Sequence, residues 1–134
     1  MRTKPIALFA AGIIFGLAGC VSSPTVVAPI GPDATARPQA GPQGYLKVFT
    51  ATQTIEVDFG AYFHPHMGYD ISDAEGRHVE FVPNHTSNLD ELPDEVALPP
   101  GNYNVVAEST WLGLVKVPVT VQKGKTTVVR LDGT

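Results

Sequence analysis

The sequence predicts an all-β fold, a small antiparallel β-sandwich of about seven short strands, and three observations support this prediction. Residues 45–134 contain short runs rich in Val, Ile, Thr and aromatic residues, separated by Gly, Pro, Asn and Asp. In several runs apolar and polar residues alternate, as in strands with one buried face. Helical periodicity is hardly visible. At 134 residues, 43% hydrophobic and 16% charged, the chain suits a single globular domain.

Residues 1–19 have the features of a secretory signal peptide. Arg2 and Lys4 precede a twelve-residue apolar run, Ile6–Leu17, which is the pattern of a charged start followed by a short hydrophobic region. A helix needs roughly 20 apolar residues to span a bilayer. We therefore expect this segment to direct export and then to be removed.

The motif Leu17-Ala18-Gly19-Cys20, which contains the chain's only cysteine, resembles the lipobox of bacterial lipoproteins. The resemblance implies cleavage before Cys20, a diacylglycerol on the Cys20 thiol and a further acyl chain, such as palmitate, on the new amino terminus. More than one acyl chain gives stable membrane attachment. Two alternatives remain: an ordinary secretory signal in which Cys20 is incidental, or an uncleaved membrane anchor.

The residue after the lipobox cysteine bears on localisation. In bacteria with two membranes, Asp at this position resembles a signal for retention in the inner membrane, whereas this chain has Val21. The resemblance therefore implies the outer membrane, with the protein facing the periplasm. In a host with one membrane it implies the outer leaflet of that membrane.

Residues 20–44 are expected to form the lipidated cysteine followed by a disordered, Pro-rich linker. From Val21 to Gly44 the chain has five Pro and three Gly, without sustained helical or strand periodicity. Fully extended, this segment would reach roughly 75 Å. The alternative is that it packs along the folded domain through its few apolar residues, Val26, Val27 and Ile30.

The first two predicted elements of residues 45–134 are a strand and a hairpin. Thr54–Phe59 alternates, which predicts Ile55, Val57 and Phe59 on one buried face. In the hairpin, we expect Tyr69 and Ile71 to share the core face with Val79 and Phe81. Ile71 then pairs with Val79, and the loop Ala74-Glu75-Gly76 places Gly76 in a left-handed conformation.

The last three predicted strands are Asn102–Glu108, a valine-rich strand and Thr126–Leu131, which we expect to form a meander. The valine-rich strand has Val115, Val117, Val119 and Val121 on one predicted buried face. Pro118 lacks an amide N–H and therefore favours an edge or an unpaired backbone position in this strand.

Part of the C-terminal half resembles the carboxypeptidase-regulatory-like and transthyretin-like sandwich modules. The resemblance covers about the last forty residues and depends on the Leu98–Tyr103 segment, the valine-rich strand that follows, and the Lys123–Thr127 turn. It implies an Ig-like or transthyretin-like sandwich. Such modules share no single activity.

Charge and motif content narrow the function classes. Removal of residues 1–19 would take away Arg2 and Lys4, which leaves 7 basic and 13 acidic residues and a net charge of −6. Nucleic acids are therefore not expected as partners. The sequence contains no G-x-S-x-G or H-E-x-x-H motif, no phosphate-binding loop and no cysteine besides Cys20. We expect a protein that is not an enzyme.

Two groups of residues are candidate metal ligands. The predicted hairpin register places Asp70 opposite Glu80, with His78 diagonal to Asp70, an arrangement that could attract a divalent cation such as Ca²⁺. Separately, His64 and His66 could bind zinc or copper. The alternatives are solvated carboxylates, if the register differs by one residue, and histidines with ordinary surface or partly buried positions.

Taken together, these features predict a lipid-anchored cell-envelope lipoprotein that acts as a non-catalytic binding or assembly module. Its expected partners are the membrane, through the lipid on Cys20, and an envelope protein. Trp111 falls at a predicted hairpin tip and is the candidate contact residue; alternatively, it folds back over the end of the sandwich. The second functional hypothesis is an envelope protein that binds a divalent metal. No cofactor other than the covalent lipid is expected under the first.

Overall fold

The computed structural model describes residues 22–134, so the predicted signal peptide and Cys20 lie outside the described residues. The described chain forms no helix that is both long and apolar enough to cross a membrane. It has ten strands, against about seven expected. They are β1 (Thr25–Val26), β2 (Gly44–Phe49), β3 (Ile55–Val57), β4 (Ala61–Phe63), β5 (Tyr69–Asp73), β6 (His78–Val82), β7 (Glu95–Leu98), β8 (Gly101–Ser109), β9 (Gly113–Val121) and β10 (Thr126–Arg130).

The strands form two main sheets and a separate pair, which confirms the all-β class. One sheet has five strands in the order β1-β9-β8-β5-β6, the other has three in the order β10-β2-β7, and β3 pairs with β4. Most pairings are antiparallel, but β1 is parallel to β9 and β10 is parallel to β2. The fold is therefore a small, mixed β-sandwich.

The alternating residues of β9 form a large part of the core. Val115, Val117, Val119 and Val121 are all buried, as the period of two predicts. The remaining buried apolar side chains come from both main sheets and from the residue after β10: Leu46, Val48, Tyr69, Ile71, Val82, Leu98, Val105, Ala107, Val129 and Leu131.

The predicted disordered linker is wrong for residues 25–39, which pack along the domain. The Val27 amide donates to the Lys116 carbonyl (3.0 Å), and Ile30 donates to Pro118 (2.9 Å) and accepts from Thr120 (3.0 Å). Val27 and Ile30 also pack against the core. Farther along, Gln39 donates to Gly124 (2.8 Å). The contacts of Val27 and Ile30 satisfy backbone groups along one edge of β9, where the missing N–H of Pro118 is tolerated.

The predicted meander is also wrong, because β10 leaves the sheet of β8 and β9. β8 and β9 pair as expected, but β10 joins the other sheet, with Val129 beside Val48 of β2. The physical reason is that the second edge of β9 is already hydrogen-bonded to the N-terminal segment. A third antiparallel strand has no free edge to join there.

The strand predicted over Thr54–Phe59 ends early. β3 stops at Val57, and a single 3₁₀ turn, Asp58–Gly60, follows with Phe59 at a φ of 68°. Phe59 is fully exposed, whereas Ile55 and Val57 are half-buried. Because β3 pairs only with β4, this hairpin has no core sheet on which to bury the whole apolar face.

The hairpin of β5 and β6 confirms the predicted loop but not the predicted register. Gly76 has a φ of 86°, and Ser72 lies opposite His78. A bulge then shifts the pairing by one residue, so Ile71 lies opposite Glu80 rather than Val79. One extra residue moves alternate side chains to the other face. As a result Val79 and Phe81 are exposed, not buried.

Candidate functional site

The carboxylates of the first candidate metal site lie on opposite faces of the sheet. Paired residues share a face; Glu80 pairs with Ile71, whereas Asp70 pairs with Phe81. The predicted Asp70–Glu80 pair is therefore wrong. The diagonal contact does form, since the His78 Nε2 atom lies 3.2 Å from the Asp70 Oδ1 atom, with both side chains exposed.

The two histidines of the second candidate metal site have different surroundings. His66 is buried, and its Nδ1 atom lies 2.7 Å from the Thr50 carbonyl oxygen. Because a carbonyl only accepts, this Nδ1 carries the proton and is not free to bind a metal. The His66 ring also packs edge-on against Phe49. His64 is exposed, with its Nδ1 atom 3.4 Å from the Thr54 hydroxyl.

Residues 22–134 hold no group of three or more His, Cys, Asp or Glu side chains placed to bind a metal ion. The structure thus separates the predicted ligands into an exposed Asp70–His78 contact and two unrelated histidines. The error arose from the bulge in β6. Bulges carry no strong sequence signal when no Gly occupies the extra position.

A buried polar cluster lies near the ends of β2 and β6, and sequence analysis did not single it out. Asn84 is fully buried, and its side-chain amide donates to the Val48 carbonyl (2.9 Å), the Met67 carbonyl (3.2 Å) and the Thr50 hydroxyl (3.3 Å). Its side-chain oxygen accepts from the Asp94 amide (3.0 Å). Asn84 also has a φ of 66°, a conformation that Asn tolerates better than most residues.

The contacts of this cluster are all internal to the protein. Thr50 donates to the Met67 carbonyl (2.7 Å), and Asn84 joins the loop after β6 to the end of β2. Buried polar groups that are satisfied in this way stabilise one arrangement of the chain. The cluster is therefore structural rather than a binding site.

Tyr69 also lies in the core, but its hydroxyl differs from the polar groups around Asn84 in its hydrogen bonding. Its hydroxyl is buried and makes no hydrogen bond with any of residues 22–134. Burial raises the pKa of Tyr69 above its usual range, and the negative charges of Asp94 and Glu80 raise it further. The hydroxyl is thus held neutral inside the protein.

An apolar cleft of about 520 Å³ opens on the described surface, within the size range of ligand-binding pockets. Three parts of the chain line it: the N-terminal segment, the tip of the β8–β9 hairpin, and the residues at and after the end of β10. We refer to it as the Trp111 cleft. Its lining comprises Val27, Ala28, Pro29, Ile30, Ser109, Trp111, Leu112, Arg130, Leu131, Gly133 and Thr134.

Trp111 lies at the hairpin tip, as predicted from the sequence, and does not fold into the core. Ser109 pairs with Gly113, which leaves residues 110–112 as the tip. The Trp111 side chain is 79% exposed. Its indole Nε1 atom lies so close to Gly133 that a β-carbon there would clash with it. Gly133 therefore packs against the indole, most of whose surface stays exposed.

The tip is held in place by backbone hydrogen bonds. The Thr110 amide donates to the Leu131 carbonyl (2.8 Å), and the Leu131 amide donates to the Phe49 carbonyl (2.7 Å).

The Arg130 guanidinium lies 4.2 Å from the centre of the Phe49 ring, an attractive geometry. Among the lining residues of the cleft, Arg130 has the one charged side chain. Such a surface can bind apolar groups.

Sequence reasoning found Trp111 but missed the other walls of the cleft. Residues 27–30 were expected in a free linker, and residues 130–134 had no distinguishing pattern. The only available signal was the apolar content of the linker, Val26, Val27 and Ile30.

Comparison with known proteins adds no relative: no family model matches this chain, and no curated protein or solved structure matches it significantly.

Proposed function

We propose that this chain is a lipid-anchored cell-envelope lipoprotein whose β-sandwich is a non-catalytic binding or assembly module. The lipid on Cys20 would attach it to a membrane, which is the outer membrane, facing the periplasm, in a host with two membranes. The Trp111 cleft would be its contact surface for a second envelope component. No bound cofactor is needed for this role.

Two features support the proposal. The Leu17-Ala18-Gly19-Cys20 motif, preceded by a charged start and a short apolar run, supports export and lipidation. The exposed indole of Trp111 over an apolar cleft supports binding, since exposed aromatic side chains next to apolar pockets are typical of contact surfaces. The second feature is the observation that carries the binding role.

The anchoring part is tested by comparing the wild-type chain with Cys20→Ser, expressed in a bacterium that lipidates proteins. We expect the intact mass of the wild type to equal residues 20–134 plus the acyl groups, and the protein to partition into membranes. Cys20→Ser should lose both. Equal partition of the two chains would contradict lipid anchoring.

The binding part is tested by crosslinking in native membranes with a photoreactive residue at position 112, and with the same residue at position 122 as control. Leu112 lines the cleft, whereas Gln122 lies in the turn between β9 and β10. We expect adducts from position 112, with an envelope protein or with membrane lipid, and none from position 122. Equal adduct patterns from both positions would contradict a contact surface at the cleft.

A further inference from the structure

The direction of β1 determines where the N-terminal segment leaves the domain. β1 runs parallel to β9, with Thr25 beside Val115 and Val26 beside Lys116. In a parallel pair, residues that precede Thr25 lie beside residues that precede Val115. The N-terminal end of β1 therefore faces the tip of the β8–β9 hairpin.

Cys20 lies only five positions before Thr25. Even a fully extended chain of this length spans at most about 17 Å. A lipid on Cys20 is thus held within about 17 Å of Thr25, which lies beside Val115 near the hairpin end of the sandwich. The long tether expected from the Pro content is not available to separate the domain from the membrane, because residues 25–39 are hydrogen-bonded to the domain.

The same end of the molecule exposes several large apolar side chains. Trp111 and Leu112 lie in the tip and are 79% and 57% exposed, and Leu114 of β9 and Val26 of β1 are also exposed. Single exposed apolar residues are common, but several at the same end as an apolar cleft indicate a contact surface. This group lies at the end of the sandwich that the N-terminal end of β1 faces.

We propose that the hairpin tip inserts into the interfacial layer of the bilayer that holds the Cys20 lipid. This inference rests on the proposed lipidation and names the partner of the Trp111 cleft. Trp is favoured at the boundary between headgroups and acyl chains because its indole is largely apolar and carries one N–H donor. A short covalent attachment keeps the tip at high effective concentration at the bilayer.

The charged residues near the tip limit how deeply it enters. Lys116 lies beside Val26, Glu108 lies opposite Leu114, and Arg130 lines the cleft. Charged groups are unfavourable in the hydrocarbon layer, but the long side chains of Lys and Arg can extend to the headgroups. The tip therefore occupies the interface rather than the hydrocarbon centre. With a mature net charge of −6, attraction to anionic lipids does not drive this contact.

The chain is suited to a direct test because Trp111 is its only tryptophan. The lipidated mature protein is placed in phosphatidylcholine vesicles that contain lipids brominated in the upper part of the acyl chains. We expect a blue-shifted Trp111 emission that is quenched by these lipids. The matched control is the double variant Trp111→Phe/Gln122→Trp, whose indole lies at the other end of β9, about 27 Å from the tip. Its emission should be that of an indole in water, without quenching.

The outcomes separate this inference from the proposed function. A protein that carries no lipid and does not float with the vesicles contradicts the proposed function. A lipidated protein that floats, but whose Trp111 is not quenched by brominated lipids, overturns the present inference alone. Shielding of Trp111 from a water-soluble quencher without quenching by brominated lipids overturns it as well, since a protein surface then covers the tip.

A second variant tests the tip without changing the fluorophore. Leu112→Asp in the lipidated protein is expected to weaken the quenching of Trp111 about twofold or more, because an acidic side chain is disfavoured in the interface. The matched control is Val79→Asp, an exposed apolar residue on β6 near the opposite turn, which should leave the quenching unchanged. Equal quenching in both variants would overturn the inference.

Discussion

Two regions of this molecule reverse the usual distribution of side chains. Around Asn84, polar groups are buried; around Trp111, apolar groups are exposed. The polar groups of the first region are hydrogen-bonded inside the protein: the Asn84 side chain donates to the Val48 carbonyl and accepts from the Asp94 amide. The apolar groups of the second region are not covered by the described residues. The difference shows that the first region stabilises the fold, whereas the second is available for contact with another surface.

The largest expected effect is at Asn84. Asn84→Ala removes the hydrogen bonds of its side chain and places Ala at a φ of 66°, so we expect a loss of about 3 kcal/mol in the free energy of unfolding. Asn84→Gly removes the same hydrogen bonds but adopts this φ freely, and should cost about 1 kcal/mol less. Urea unfolding of chains that carry Cys20→Ser measures both. Losses below about 1 kcal/mol for both variants would contradict the structural role of the cluster.

Thr50→Val should have a smaller effect in the same direction. It removes a hydroxyl that donates to the Met67 carbonyl and accepts from the Asn84 amide. We expect a loss of about 1–2 kcal/mol in the free energy of unfolding, because two buried polar groups lose a partner. The control is Thr52→Val, at an exposed position, which should change stability by less than about 0.5 kcal/mol. A similar value for the two variants would show that the buried hydroxyl contributes nothing.

Tyr69→Phe should change stability in the opposite direction. The Tyr69 hydroxyl is buried without a hydrogen-bond partner among residues 22–134, so its removal should raise the free energy of unfolding by up to about 1 kcal/mol at pH 7. Thermal unfolding of both chains measures this change. A loss of more than about 1 kcal/mol would indicate that the hydroxyl has a stabilising contact.

The pKa of Tyr69 adds a pH dependence to this comparison. Burial raises this pKa in the folded protein, so folding favours the protonated form. The free energy of unfolding of the wild type is therefore independent of this ionisation below the pKa of Tyr in the unfolded chain, about 10, and falls as the pH rises above it. The advantage of Tyr69→Phe over the wild type should therefore grow above pH 10 or so. A constant difference between neutral and alkaline pH would contradict the raised pKa.

The smallest expected effect is at the hairpin tip without lipid. In the chain that carries Cys20→Ser, Leu112→Asp should change the free energy of unfolding by less than about 0.5 kcal/mol, because the side chain is exposed. Urea unfolding measures it. A loss of more than about 1 kcal/mol would show that the tip belongs to the core, and the contrast with Asn84 would then disappear.

The accuracy of sequence reasoning differed between local and long-range features. The buried valines of β9 and the left-handed Gly76 were predicted correctly because side-chain alternation and turn geometry depend on a few neighbouring residues. The Asp70–Glu80 pairing was wrong because the bulge in β6 depends on how that strand meets β5. Trp111 was placed at a tip, but nothing local indicated which segments lie beside it.

By itself, the sequence determined the all-β class, the buried face of β9 and the position of the β8–β9 tip, because each depends on periodicity or on turn residues close together in the chain. Only the tertiary structure decided that residues 25–30 lie along β9 and that β10 joins β2. Backbone hydrogen bonds between distant segments use main-chain N–H and C=O groups, and every residue except proline carries both. The order of side chains along the sequence therefore says little about where these bonds form. The Trp111 cleft, built from three such segments, exists only once they meet.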